Sequence, residues 1–536
     1  MFCTQTEQTP ALLPPERSRH RIKGGPPPTS ESTSLQSQLA AGTPSACGRL
    51  PYEINLTIFA HSLHIDEYHD GDASTTHLPW NLSHVCQDWR ELVLSSPQLW
   101  TQIFLRTKEV TPFSHCLLRW QLHYSQNCPL DVRIRMGSQP PNIPVLDALK
   151  AIVAHHQRWA SLEVSDGRSY FLEMLPTSRP NIPSEVFFPI LTKLSWYFWR
   201  LEVLRGDLSF SYFANCPALR SVTIPKSKRQ WDLSRIRVMQ LPWGQLTHLS
   251  FLGPERYIIL DVLPNLSNLV ELELADSTSS GGSIPNSSSH YSFPFLERLD
   301  LRGCTHDLIL HILRHSDFSL SFRFLGIPQF PHSSLPPLSP ALRSLPKSVE
   351  EMNISMCLRP PGLAEFIRIL PSSVRRLQMH VNVLGSTELW LSEIGRGFLR
   401  YPTSDWDWRG SPRPYDGLAC PRLETLSFYR SSPSLSTANY KPRIKSEFTE
   451  MLEERRGLKR DELVGDIDVT LRSVEIDARV EWSSRDLERL KKLGDAGLRI
   501  VRVSASDGID HDGTVPYSPV DGLGFDSDSD ESDWEL

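Results

Sequence analysis

One short phrase constrains this chain more than any other. An aliphatic residue is followed by two spacers, a second aliphatic residue, one spacer and a third apolar residue. The phrase occurs at Leu191/Leu194/Trp196, Leu219/Val222/Ile224, Leu246/Leu249/Phe251, Leu269/Leu272/Leu274 and Leu296/Leu299/Leu301. It continues at Phe322/Leu325/Ile327, Val349/Met352/Ile354, Val374/Leu377/Met379, Leu423/Leu426/Phe428, Leu471/Val474/Ile476 and Leu498/Val501/Val503. From start to start the steps are 28, 27, 23, 27, 26, 27, 25, 49, 48 and 27 residues. One such phrase is chance in a leucine-rich chain, but a long series at near-constant spacing is internal repetition. The last two apolar positions alternate with polar ones, the pattern of a strand with one buried face. A unit of this size cannot bury its apolar face alone, so the units must stack and share a core. Each step near 50 leaves two readings open: a missed strand, or an insertion between neighbouring strands.

The chain before the array prepares the same architecture. Leu130, Val132 and Ile134 alternate as a strand, and WASLEV from Trp159 reads as another. Between them, Leu146 to Trp159 reads as a helix. Ahead of them lies a helix with Cys116, Leu117, Trp120 and Tyr124 on one face.

Leucine-rich repeats carry Asn or Cys three residues after the last apolar position of such a phrase. Cys304, Cys357 and Asn382 stand there, and the other repeats lack it. The array therefore resembles the irregular, degenerate leucine-rich domains. The fold implied is an α/β repeat solenoid, with the residues flanking the central apolar position of each strand on the concave face. Candidate target-binding residues on that face are Lys193, Tyr197, Glu271, Glu273, Arg298, Asp300, Arg302, Arg376 and Tyr429. Charge changes from repeat to repeat, which suits a protein partner better than a phosphate backbone. Tyr197 and Tyr429 are the candidate aromatic anchors.

Residues Leu50 to Leu105 form a different kind of segment. Pro51 suits a first helical position and Glu53 suits the positive end of a helix. Ile54, Ile58 and Phe59 follow at helical spacing. A second helix is expected after Pro79, with Leu82, Val85, Cys86, Trp89 and Val93 on one face, ending at Ser95-Ser96-Pro97. Cys86 reads as a packed core thiol. Leu99, Trp100, Ile103 and Phe104 make a third short apolar group.

Taken in order, LPxEI…IF, L-x-x-VCxxWRxL and S-x-P-x-LW resemble the F-box of the large fungal F-box families, with a longer loop from His64 to Leu78. The resemblance implies docking on a Skp-type adaptor that leads to a cullin–RING ubiquitin ligase. It places Leu50, Pro51, Ile54, Ile58, Phe59, Leu82, Val85, Trp89, Leu99 and Trp100 in the F-box core or on the adaptor face. A leucine-rich domain after an F-box further resembles a substrate receptor. An F-box scaffold acting outside ubiquitin transfer is the alternative.

Composition excludes other classes. The net charge of −6 gives no nucleic-acid footprint. Nine cysteines, scattered and never paired as C-x-x-C, read as reduced intracellular thiols. No apolar run is long enough for a membrane span and no signal peptide is evident, so a cytoplasmic or nuclear location is expected. No nucleotide-binding, metalloprotease, nucleophile-elbow or calcium-loop motif is present, so no enzyme and no cofactor are expected. His61, His64, His69, His77 and His84 straddle a loop and are not read as metal ligands.

The expected organisation is a disordered leader over 1–48, a small helical F-box over 49–106 and the degenerate leucine-rich solenoid over 107–505. Insertions fall near 277–292 and 388–421, and an acidic disordered tail covers 506–536. Within the solenoid, Phe448 to Leu463 reads as a charged helix with a solvated face.

Overall fold

In the computed structural model, the described residues are 50–64, 78–107, 110–136, 141–166, 171, 187–198, 213–224, 241–252, 256–275, 290–328, 335–357, 363–382, 394–395, 398, 420–430, 446–456, 471–477 and 482–503. The expected leader and acidic tail lie outside them, as do His69, His77 and most of both expected insertions. The chain divides into two compact units, Met1–Phe59 and Ala60–Leu536.

Helix α1 (Tyr52–His64) begins after Pro51, whose carbonyl accepts from the amides of Ile54 and Asn55. Asn55 Nδ2 donates to Leu50 O at 3.2 Å, tying the approach to the first turn.

Next along the chain are α2 (Leu78–Ser83) and α3 (Gln87–Leu94). A single helix was expected here, and it is broken at residues 84–86. Cys86 has extended backbone and is the N-cap of α3, its sulfur accepting from Trp89 N at 3.4 Å. It is half-buried and so is not the packed core thiol expected. A thiol in an N-cap satisfies an amide that a continuous helix would have paired differently. A 3-10 turn (Pro97–Trp100) follows, where Trp100 is fully buried and donates from Nε1 to Val93 O at 2.8 Å.

From there the chain lays down strands β1 (Gln102–Arg106), β2 (Leu130–Arg135), β3 (Trp159–Asp166), β4 (Lys193–Phe198), β5 (Ser221–Ile224), β6 (His248–Leu252) and β7 (Glu271–Ala275). Then come β8 (Tyr291–Phe293), β9 (Arg298–Gly303), β10 (Ser316–Phe318), β11 (Phe324–Pro328), β12 (Glu351–Cys357), β13 (Arg376–Asn382), β14 (Thr425–Arg430), β15 (Ser473–Asp477) and β16 (Arg499–Val503). All but β8 and β10 join one 14-stranded sheet in sequence order. Every neighbouring pair in it is parallel. Each of the eleven sequence phrases supplies one of these strands, but in the last, Leu498/Val501/Val503, register sets Ile500 beside Val474 in the apolar column and Val501 beside Glu475 on the other face. β1, which holds Ile103 and Phe104, is the first strand of the sheet rather than the end of a helical segment.

Both open steps are resolved as insertions. β13 pairs directly with β14, and β14 with β15, so no strand is missing between them. The backbone ladder just ahead of the strands is continuous across both gaps. Glu424 N donates to Arg375 O at 2.7 Å, and Arg472 N donates to Glu424 O at 2.8 Å.

Two apolar columns run along the inner face of the sheet. The first passes through Leu194, Val222, Leu249, Leu272, Leu299, Leu325, Met352, Leu377, Leu426 and Val474, each at most 2 % exposed. Each side chain packs on the equivalent one above and below, which is why no repeat holds its fold alone. Helices α4 (Pro112–Tyr124), α5 (Ile143–Val153), α6 (Arg256–Val262), α7 (His306–His315), α8 (Leu335–Arg343), α9 (Leu363–Arg368), α10 (Ser446–Arg455) and α11 (Ser484–Asp495) return the chain between strands. Their buried residues belong to the same hydrophobic cluster. Cys304 is buried and its thiol donates to Leu274 O at 3.2 Å, so one Cys of the repeat signature links its strand to the preceding repeat.

Three local expectations change. In α4 the buried residues are Leu118, Gln121 and Leu122, while Cys116 and Trp120 are exposed. Gln121 Nε2 donates to Gln102 O at 2.6 Å, so α4 turns this face to the edge strand β1. Trp120 and Tyr124 instead gather with Trp80 and Trp100, with ring centroids 4.9 to 6.4 Å apart. The charged helix α10 has no purely solvated face. Arg489 of α11 grips Glu453 with two bonds of 2.6 and 2.7 Å, and the buried Arg455 donates to Cys420 O at 2.7 Å. Finally, the end of the expected loop near 277–292 is ordered: β8 pairs with β10, and Tyr291 is fully buried with its hydroxyl 3.0 Å from His311 Nε2.

Candidate interaction surfaces

Two surfaces present unusual side chains. The first is on α1. Ile54 and Ile58 are four residues apart and therefore share one helical face, and Leu50 stands just ahead of the helix. Leu50, Ile54 and Ile58 are 42, 47 and 49 % exposed, beside an exposed Tyr52, whereas Phe59 is 1 % exposed. Exposed aliphatics in a row are informative because isolated ones are common on any surface.

The remaining residues of the F-box pattern divide in the same way. Leu99 and Trp100 are buried, Leu82 and Trp89 are half-buried, Pro51 is exposed, and Val85 is 61 % exposed on the turn before α3.

The second surface is the open face of the sheet, opposite the apolar columns. Parallel register sets its side chains in rows. One row runs Lys193, Ser221, His248, Glu271, Arg298, Phe324, Glu351, Arg376 and Thr425. Charges in it pair off between neighbours. Arg376 Nη2 is 3.1 Å from Glu351 Oε2, His248 Nε2 is 3.9 Å from Glu271 Oε2, and the Arg298 guanidinium lies 3.6 Å from the Phe324 ring centroid.

The next row runs Glu163, Ser195, Thr223, Ser250, Glu273, Asp300, Gly326, Asn353, Gln378, Ser427 and Glu475. It contains four carboxylates, and Arg133 of β2 stands next in register to Glu163, its Nε 3.9 Å from Glu163 Oε2. Ser250 donates to Glu273 at 2.7 Å. Asp300 is 5 % exposed and leans over Gly326, where a Cβ would stand 2.6 Å from its Oδ1. Asn353 Nδ2 donates to Gln378 Oε1 at 3.0 Å and lies 3.5 Å from His380 Nε2. The His380 ring stacks on Tyr429 at 5.2 Å. Tyr429 and Ser427 both donate to Glu475 Oε2, at 2.5 and 2.9 Å. Parallel pairing thus joins four strands through one polar chain of side chains.

Of the residues singled out in the sequence, Lys193, Glu271 and Arg376 stand exposed on this face, and Glu273, Arg298 and Tyr429 are half-buried. Asp300 is buried by its position over Gly326. The side chains of Tyr197 and Arg302 lie outside the described residues. Glu475 and His380 were missed, although both stand beside phrase residues, Glu475 between Val474 and Ile476 and His380 after Met379. Extending the strand alternation by one repeat and one position would have found them.

No protein-family model and no curated protein matches the chain. Among solved structures it is similar to the crystal structure of the leucine-rich repeat-containing protein LegL7 from Legionella pneumophila. Identity is 15 %, with 59 % of this chain and 84 % of that chain covered at a TM-score of 0.31.

Proposed function

We propose that the chain is the substrate-recognition subunit of a Skp/cullin/F-box ubiquitin ligase. In this reading α1 docks on a Skp-type adaptor, and the open face of the sheet holds a protein target. The chain itself is not an enzyme and needs no cofactor; a separate RING/E2 module transfers ubiquitin, and this chain contributes proximity. A cytoplasmic or nuclear location goes with the proposal. No helix among the described residues is long and apolar enough to cross a membrane.

The observation that carries the adaptor half is the exposure of Ile54 and Ile58 on one face of α1, with Leu50 exposed just ahead of it in the F-box-like LPxEI motif. Burying the exposed half of each of these side chains in an interface would contribute about 0.7–1.5 kcal/mol each before the costs of association. The target half is supported by the long, polar, charge-varied open face, on which Lys193, Glu271 and Arg376 stand exposed.

The test is co-purification of the full-length chain with a recombinant fungal Skp-type adaptor, comparing wild type with Ile54→Asp/Ile58→Asp. Saturable binding lost in the double variant is the expected result. A folded wild-type chain that fails to bind the adaptor overturns the ligase reading.

A further inference from the structure

The starts of the last four strands carry a concentration of arginine. Arg375 and Arg376 stand at the start of β13, Arg422 in the turn before β14, Arg472 just ahead of β15 and Arg499 at the start of β16, and all five are exposed. Parallel register keeps them together. Arg375, Glu424 and Arg472 follow one another along the backbone ladder, and Arg376, Thr425, Ser473 and Arg499 share one row. The four strand starts span about 14 Å at the usual interstrand spacing. Against the five arginines stand two carboxylates, the half-buried Glu424 and the exposed Asp495 at the end of α11. Glu424 lies 3.5 Å from Arg375 Nη1 and 4.0 Å from Arg472 Nη1, and Arg375 and Arg376 also reach Glu350 and Glu351 at the start of β12. Arg422 and Arg499 enter no ion pair among the described residues. A surface with such an excess of one charge attracts an anionic partner, and guanidinium groups take carboxylates through paired N–H bonds.

We propose that residues 526–535 of this chain dock on the arginine rim of β13–β16. Ten Asp or Glu and no Lys or Arg fall in 504–536, and six of the ten fall in DSDSDESDWE, residues 526–535, which lie outside the described residues. The acidic run leaves from the repeat that ends the rim. β16 ends at Val503, and Asp526 follows it by 23 residues. A chain of that length reaches at most about 75 Å. The rim lies about 15–25 Å from Val503, one strand length back and up to three strands across. Tethering at this range gives an effective concentration of about 1 mM, so weak surface contacts suffice when several act together. Trp534 adds an indole on which a guanidinium stacks. Docking here needs no adaptor, and an occupant of the rim competes with any target held across β13–β16.

Arginine modification by phenylglyoxal, read residue by residue by mass spectrometry on the full-length chain, tests this. Wild type is compared with a neutralised variant carrying Asp526→Asn, Asp528→Asn, Asp530→Asn, Glu531→Gln, Asp533→Asn and Glu535→Gln. In wild type the rim arginines, Arg422 and Arg499 above all, should react about tenfold more slowly than in the variant, the protection given by a segment bound about nine-tenths of the time. Arg119, exposed on α4, should react equally in both. Protection should not depend on protein concentration, as an intramolecular contact requires. It should fade toward 1 M NaCl, where the screening length is about 3 Å. Arg422→Gln/Arg499→Gln changes exposed positions, so its fold should be retained, and matched circular dichroism melts check this. In that variant Arg472 should react as it does in the neutralised one.

Equal reactivity of the rim in wild type and neutralised variant overturns the contact. So does protection that extends equally to Arg119, which marks a general charge effect. Protection that appears only as protein concentration rises overturns it in favour of the acidic run of a second copy. A rim unprotected in wild type but protected by an added peptide of residues 524–536 overturns it in favour of an acidic segment from a partner.

Discussion

The Tyr429 hydroxyl donates to Glu475 Oε2 at 2.5 Å, across 46 residues of sequence and one step of the sheet. Parallel stacking makes this possible, because β14 and β15 are neighbours in space despite the insertion between them. The same bond sets a clear expectation. Tyr429→Phe keeps the ring on His380 and loses only the hydroxyl. Ser427 still holds the carboxylate, and the site is partly solvated. Stability should fall by about 0.5–1.5 kcal/mol, the net value of one such bond. Urea unfolding of the two proteins measures it, and a loss above about 3 kcal/mol would show that Glu475 depends on Tyr429 alone.

The two apolar columns carry the stability. Leu377 is 1 % exposed and sits in the middle of the first column. Leu377→Ala should cost about 2–5 kcal/mol through lost transfer and the cavity left behind. The denaturant midpoint should fall with little change in slope if the array unfolds together. A second transition would show that the stack uncouples at β13.

α1 gives the opposite expectation on its exposed side. Ile54→Ser removes an aliphatic group that is nearly half exposed, so stability should change by less than about 0.5 kcal/mol. Phe59→Ala, at 1 % exposure, should cost about 3–5 kcal/mol. Thermal unfolding of both variants checks the contrast. Equal losses would mean that the stripe serves the fold rather than a partner.

Cysteine reactivity should divide by burial. Burial pushes the thiols of Cys216 and Cys420 up to about 12, in Cys420 against the opposing pull of Arg455. Cys116 is exposed. Iodoacetamide at pH 8 should label Cys116 in the native chain and leave Cys216 and Cys420 unmodified until denaturant is added. The linkage has a sign. Both thiols hold their proton more tightly folded than unfolded, so the unfolded chain releases protons first. Stability from these groups is fully present below about pH 9 and declines as pH rises from there toward 12. Melting temperature measured between pH 8 and 10.5 should show the decline begin, and Cys420→Ser should reduce it.

Cys86 as an N-cap leads to a further substitution. Cys86→Ser places a better capping oxygen before α3 and should leave stability unchanged or raise it by about 0.5 kcal/mol, while Cys86→Ala should lower it. A marked loss in the serine variant would restore the packed-thiol reading.

The sequence by itself determined the sheet. Every apolar phrase from Leu191 onward became a strand, because alternation with one buried face and a repeat too small to fold alone leave parallel stacking as the solution. The positions of the outward residues followed from the same alternation, except in the last strand, where Val501 pairs with the outward Glu475, and so the open face was legible in outline. Tertiary structure decided what those positions do. The steps of 49 and 48 residues are equally consistent with a missed strand or an insertion until β13, β14 and β15 are seen to pair. Helix α4 exposes Trp120 because of where β1 lies, which helical period alone does not specify. Asp300 is buried because residue 326 in the next strand is glycine. The chain from Asn353 to Glu475 exists only through register. Local pattern sets which side of a strand each residue takes, but only stacking sets its neighbour, and the chemistry of this face resides in the neighbours.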